Sequence, residues 1–237
     1  LLVMSLFGTT MTAFALVANL DGGLSEVVAL SLKVSLSAVI IASIIGLPIG
    51  AALALYRFPG RSFLVVVVNS FMGLPPVVIG LIVYLLLSRA GPFGVFGLLF
   101  TPTAMIIAQV LLITPLVAAL ARQAMETLWL EYEEQFHSLG STPLRSLSAL
   151  LWDGRYSLIT AVLAGFGRAI AEVGAVMIVG GNIDHVTRVM TTSIALEVSK
   201  GNLALALGLG IILVIISVLV NGLVFVLRGN QRHGVTP

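Results

Sequence analysis

The long gaps between charged residues constrain this chain more than any other feature. Uncharged runs extend over 1–20, 34–56, 62–88, 90–121 and 201–227, and a hydrocarbon core of about 30 Å needs about 20 consecutive apolar residues per helix. A further apolar stretch, 159–180, is interrupted only by Arg168 and Glu172. Charged residues make up 9% of the chain and hydrophobic ones 59%, whereas a soluble domain carries about 25% charged residues. The runs do not alternate polar with apolar residues as barrel strands do. Spans in lipid must then satisfy their backbone within helices, so the pattern predicts an all-α integral membrane protein.

The run at 90–121 opens with Gly91, Pro92, Gly94 and Gly97, which read as a loop, so its helix is expected to start near Leu98. Five core spans follow: 27–55, 63–87, 98–121, 159–180 and 203–227. The run 1–20 is diluted by Ser, Thr and Asn and reads either as a sixth span or as an interfacial helix. It lacks a basic leading segment, so a cleaved signal peptide is not expected. The organisation is thus an N-terminal apolar segment (1–26), one transmembrane domain (27–228) and a short tail (229–237).

Five spans put the turn at 57–62, the segment 122–158 and the tail on one side of the membrane. That side carries Arg57, Arg61, Arg122, Arg145, Arg155, Arg228 and Arg232, against Arg89, Arg188 and Lys200 opposite. The positive-inside rule assigns the richer side, and with it the C-terminus, to the cytoplasm.

Several classes are excluded. The net charge is +2 and the basic residues are dispersed, unlike a nucleic-acid footprint. With no cysteine there is no disulfide framework, thiolate metal site or cysteine catalysis. His137, His185 and His233 are scattered, and the neighbouring pair Asp184 and His185 is too little for a metal site. Lys33 and Lys200 do not lie in Gly-Lys-Ser/Thr, so a P-loop is missing. Neither an enzyme nor a cofactor site is expected on this chain.

The polar segment 122–158 has its own grammar. Met125, Leu128, Trp129, Tyr132 and Phe136 recur at helical spacing, with Glu126, Glu131, Glu133 and Glu134 between them. Gly140 suits a helix C-cap, and Ser141, Thr142 and Pro143 suit the cap and first turn of a second helix. Helix, sharp turn and short helix would form a hairpin on the membrane face. Such a hairpin either inserts into a groove on a soluble partner or merely packs on headgroups.

The run Glu134, Gln135, Phe136, His137, Ser138, Leu139, Gly140 resembles the signature of ABC-importer permeases, in which a Glu-Ala-Ala triplet precedes a glycine by a fixed interval. Gln135 and Phe136 stand where the family has alanines, and Trp152 with Asp153 where it usually has Leu-Pro. The resemblance extends through Leu32 to Ser35, Phe58 to Gly60, Leu74 to Val78 and Gly167 to Ala175, and covers roughly 27–228. It is closest to the molybdate and tungstate permeases, with the stretch from Arg188 to Asn202 most like the tungstate branch. The resemblance implies a type I importer permease fold in the inner membrane of a prokaryote. It implies a tetrahedral oxyanion as cargo, tungstate before molybdate, carried by alternating access. It also implies coupling through Glu133, Glu134, Gly140, Ser141, Thr142 and Pro143 to a separate ATPase subunit, which binds ATP and Mg. A second copy of the chain and an extracytoplasmic oxyanion-binding protein complete the expected assembly.

Within the spans, Arg168 and Glu172 are four residues apart, so one helix would put them on a common face. A charge at mid-bilayer costs about 2.5–3.5 kcal/mol on insertion scales, so neither should meet lipid. They line a translocation path or lock helices as a structural pair. Pro75 and Pro76 interrupt the second span beside Asn69, Ser70 and Gly73, freeing backbone groups that a cavity or a neighbouring helix must satisfy. Thr114, before Pro115, is a weaker case of the same device. Two other readings compete with an ABC permease: an ion-coupled secondary carrier using Arg168 and Glu172, and a membrane-embedded enzyme built on that pair.

Overall fold

The computed structural model describes residues 22–140 and 143–229, and among these the secondary structure is helical throughout. Nine α-helices are formed among the described residues: α1 (Gly22–Leu55), α2 (Arg61–Met72), α3 (Pro76–Leu87), α4 (Pro102–Ser138), α5 (Pro143–Asp153), α6 (Arg155–Ile170), α7 (Gly174–Gly180), α8 (Met190–Ser199) and α9 (Leu203–Gly229). The expected segments 1–20 and 230–237, together with Ser141 and Thr142, lie outside the described residues.

Three helices are long and apolar enough to cross a membrane unaided, over Gly23–Leu55, Pro102–Phe136 and Leu203–Gly222. Two bent pairs, α2 with α3 and α6 with α7, pass the same test together, which gives up to five spans among the described residues when each pair counts as one. The break expected at Pro75 and Pro76 is present, but the two prolines act differently. Gly73 and Leu74 close α2 by donating their N–H groups to Ser70 and Phe71 carbonyls, each at 3.2 Å. Pro76 opens α3 at its first position, where a missing N–H costs nothing.

Two expected boundaries are corrected. The third span does not stop at Ala121, because α4 continues without interruption through Arg122 to Ser138. It also begins at Pro102, after the Thr101 side chain that accepts from the Ala104 N–H at 3.4 Å, and not near Leu98. The stretch 159–180 is not one helix, since α6 ends at Ile170 and α7 begins at Gly174. Arg168 and Glu172 therefore do not share a helical face.

The described residues divide into two compact units. One comprises 22–37, Pro76–Gln109 and Ala169–Val220, and the other Ala38–Pro75, Val110–Arg168 and 221–229. In the first, α3 and α7 pack through small residues: a β-carbon on Gly80 would lie 2.8 Å from the Ala175 Cα. In the second, α1 and α4 meet in the same way, with a Gly46 β-carbon 3.0 Å from the Thr114 carbonyl oxygen. Such close backbone approach is what small residues permit between membrane helices, where no hydrophobic drive exists between apolar surfaces. Helix α2 buries none of its residues, and Phe63 and Val66 on it are 70% and 60% exposed.

Candidate functional site

The hairpin grows directly out of a span. Helix α4 turns its Met125, Leu128, Trp129, Tyr132 and Phe136 stripe inward, onto Leu147, Leu150 and Leu151 of α5 and Leu158 of α6. Met125 is fully buried and Leu150 is 1% exposed. Gly154, between α5 and α6, admits this packing, because a β-carbon there would meet Met125 Cε at 2.5 Å and Leu128 Cδ1 at 2.7 Å. Phe136 stacks on Trp129 with ring centroids 6.0 Å apart and lies 6.1 Å from Tyr132. Its bulk is spent inside the hairpin, while Glu134 and Gln135 beside it face outward.

The tip is set by backbone geometry. Leu139 donates its N–H to the Gln135 carbonyl at 3.0 Å, and Gly140 then adopts φ +58°, the left-handed conformation that ends a helix cheaply only at glycine. Space is not the reason, as nothing lies within 4 Å of where its β-carbon would stand. Leu139 is 80% exposed, which leaves an apolar side chain at the tip. Helix α5 starts at Pro143, as its proline-at-N1 pattern predicts.

An arginine network holds the base of the hairpin to the α1–α2 turn. Arg61 donates through Nε to the Leu53 carbonyl at 2.7 Å and through Nη2 to Glu126. Arg122 donates to the other Glu126 oxygen, and Arg57 stands 3.8 Å from Glu133. Part-exposed pairs of this kind contribute at most about 1 kcal/mol each. Their value is positional: they fix Glu126 and Glu133 relative to the turn.

The break between α6 and α7 is a second built site. Three backbone groups there are met by side chains. Gln109 donates Nε2–H to the Ala169 carbonyl at 3.0 Å, and Thr191 Oγ1 donates to the Glu172 carbonyl at 2.8 Å. The Glu172 carboxylate in turn accepts from the Ala175 N–H at 3.1 Å. Glu172 is 6% exposed and Gln109 3%, with Ser35 and Thr191 also buried around them. Gln109 Oε1 has no partner, and the residues enclose a space of about 10 Å³, the size of one water. Nearby, Ser31 Oγ bonds the Val27 carbonyl and accepts from the Met190 N–H, both at 2.7 Å, which ties α1 to the start of α8.

The model of the family described as "binding-protein-dependent transport system inner membrane component" matches residues 46–233. The chain belongs to this family. Among its relatives, a probable anion ABC transporter permease protein of Haloferax volcanii is 40% identical over 84% of this chain and 88% of its own length. A tungstate uptake system permease protein, TupB, of Peptoclostridium acidaminophilum is 39% identical over 91% of this chain and 95% of its own. A sulfate transport system permease protein, CysT, of Salmonella typhimurium is 32% identical over 71% and 65%. The chain is an ABC importer permease of the type I architecture, a multi-pass inner membrane protein.

In this permease the sequence-derived coupling residues divide. Glu133 is half-buried against Arg57, Glu134 and Gly140 are exposed, and Pro143 opens α5. Among the residues considered for the path, Asn69, Ser70, Gly73 and Pro75 are exposed at the end of α2, and Pro76 is half-buried. Arg168 is exposed in the last turn of α6. The hydroxyl of Thr114 is spent within its own helix, donating to the Val110 carbonyl at 2.7 Å. Sequence reading missed Gln109 and Thr191. Gln109 carried a usable signal, a polar side chain inside an otherwise apolar span. Thr191 carried none, because its partner lies 19 residues away in sequence.

Proposed function

We propose that this permease carries a tetrahedral oxyanion, tungstate first and molybdate next, inward by alternating access driven by ATP hydrolysis on a separate subunit. The observation that carries the coupling half is the continuity of α4 from membrane span to hairpin tip, with the tip presented by Gly140. A partner that grips the tip moves the span, because a single helix runs from one to the other. Exposed Glu134 and Leu139 are the contacts offered to the ATPase, which supplies ATP and Mg binding. The oxyanion half is supported by the relatives, whose names cite an anion, tungstate and sulfate. The hairpin faces the cytoplasm by the arginine count, with the C-terminus on the same side.

A second copy of the chain encloses the other half of the path, and an external binding protein delivers the anion. Exposed Arg168, with Asn69, Ser70 and Gly73, lines the route. Arg168 lies in the last turn of α6 while Glu172 lies in the break before α7, so the pair expected of an ion-coupled carrier does not share a helical face.

Uptake assays with radiolabelled or isotopic tungstate in proteoliposomes that contain the permease and its co-purified partners test the proposal. Vanadate-sensitive, ATP-dependent uptake is expected, with Arg168→Gln assembling normally but failing to transport. Gly140→Trp is expected to leave the spans folded while separating ATP hydrolysis from uptake. Failure to recover an ATPase partner, together with vanadate-insensitive uptake, defeats the reading.

A further inference from the structure

The loop between α3 and α4 is as apolar as the helices it joins, and neither the path residues nor the coupling set draws on it. Residues 88–101 hold one charged side chain, Arg89, and no acid, against Phe93, Val95, Phe96, Leu98, Leu99 and Phe100. Such a loop would ordinarily hide its large side chains in protein. Here Phe93 and Phe96 are exposed, and Val95 between them is 95% exposed.

The backbone builds that exposure in. Gly91 donates its N–H to the Ser88 carbonyl at 2.8 Å and Phe93 donates to the Leu86 carbonyl at 3.0 Å, so the chain doubles back on the last turn of α3. Only glycine permits the fold-back, since a β-carbon on Gly91 would collide with the Leu85 carbonyl oxygen and one on Gly94 with that of Ser88. Gly94–Phe96 then form a turn of 3₁₀ helix against α3, with the Phe93 and Phe96 rings stacked 6.5 Å apart. The far end is also pinned. Phe100 takes φ +61°, an uncommon angle for a bulky residue, and is held there by donating its N–H to the Val179 carbonyl at 3.0 Å and by setting its ring edge-on to Tyr84.

The length of α4 sets the depth of the loop. From Pro102 to Ala121 the helix is uncharged, a stretch of about 30 Å at helical rise, which is the thickness of the hydrocarbon core. With Arg122 at one boundary of that core, Pro102 and the loop before it lie at the other. The bond from Phe93 to Leu86 keeps the rings folded back along α3, so they do not project into water. Exposed Leu81, Ile82 and Leu85 on the preceding turns of α3 carry apolar surface up to the loop. A soluble partner would meet a polar rim around an apolar centre, and the only charge the loop offers is Arg89.

We propose that this loop is an interfacial anchor, with Phe93, Val95 and Phe96 set into the lipid surface at the acyl boundary and Arg89 among the headgroups. Aromatic and apolar side chains on one face with a cation beside them take that position at membrane surfaces, and an exposed apolar patch held this rigidly needs a cover. The proposal rests on the membrane placement of α4 and not on the cargo or on which side faces the cytoplasm.

The chain contains no cysteine, so Val95→Cys supplies a unique thiol for a nitroxide label at a side chain too exposed to matter for folding. The full chain carrying the label would be reconstituted in liposomes of phosphatidylcholine and phosphatidylglycerol. Its collisions with oxygen, which concentrates in lipid, would be compared by EPR with its collisions with a water-soluble nickel chelate. An oxygen-to-nickel ratio several-fold above that of the free label in buffer is expected. Adding Phe93→Ser and Phe96→Ser is expected to bring the ratio down towards the free-label value, because the rings hold the loop in place. A ratio equal to that of the free label in Val95→Cys overturns the proposal, as does an unchanged ratio once both rings are gone. A label shielded from both reagents also overturns it, in favour of a contact with protein.

Discussion

Gly50 of α1 lies so close to α4 that a β-carbon on it would collide with the Ala118 carbonyl oxygen and stand 2.9 Å from the Arg122 amide nitrogen. Both atoms belong to the backbone, so relief requires a helix to move. Gly50→Ala is expected to cost about 1–3 kcal/mol, as overpacking does elsewhere, and Gly50→Leu to prevent accumulation. Gly210→Ala is the control, because nothing lies within 4 Å of that position. Thermal unfolding in detergent compares Gly50→Ala and Gly210→Ala with the unchanged chain, and equal midpoints for the two variants would contradict the packing argument.

Thr191 holds the broken end of the fourth span. Thr191→Val keeps the shape and removes the donor to the Glu172 carbonyl, which is buried, so a loss of about 1–3 kcal/mol is expected. Thr191→Ser restores the hydroxyl and most of the stability. Uptake by Thr191→Val should fall more than its stability predicts if the break shapes the path. Chemical denaturation and transport measured on the same preparations separate the two effects.

Gly140 is required for its backbone angle and not for room. Gly140→Asn, which tolerates the left-handed region, is expected to keep coupling. Gly140→Val should lose it, at a conformational cost of about 1–2 kcal/mol confined to the tip. The readout is the number of anions moved per ATP hydrolysed. Equal coupling in both variants would show that the tip angle is unimportant.

His185 bonds Glu26 at 2.7 Å, joining the start of α1 to the loop before α8. The hydrogen bond and charge of Glu26, with the charge of Asp184, raise the imidazole pKa above its usual 6.5, while slight burial and Arg188 oppose the shift. A raised folded value means the contact stabilises fully below the unfolded pKa and is lost as pH rises through the folded one. An NMR titration of the imidazole should therefore give a midpoint above 6.5 that falls when Glu26 is replaced by Gln. An unchanged midpoint in Glu26→Gln would remove the contact from the solution structure.

The spans were readable in the sequence because hydropathy is a local property, and so was the hairpin, whose stripe from Met125 to Phe136 and whose Gly140 carry their own periodicity and turn chemistry. What local reading could not supply was where a helix ends inside an apolar run. Between Ile159 and Gly180 no proline marks the break; Arg168 and Glu172 stand beside and within it, but Gln109 and Thr191, which hold carbonyls there, are remote in sequence. The opposite error occurred at Arg122, where a charge suggested an end. Glu126 one turn later neutralises Arg122 within the helix, so α4 simply continues. Phe136 gave a related lesson: its departure from a small residue changes the interior of the hairpin and not its outer surface.

The unbroken length of α4 has a mechanical consequence. Its 37 residues form a rod of about 55 Å at helical rise, and a rod transmits displacement without storing it. Past its opening Pro102, Pro115 is its one proline, so compliance is concentrated at one known place. Stiffness there, more than affinity at the tip, would then set how much of each stroke reaches the far end.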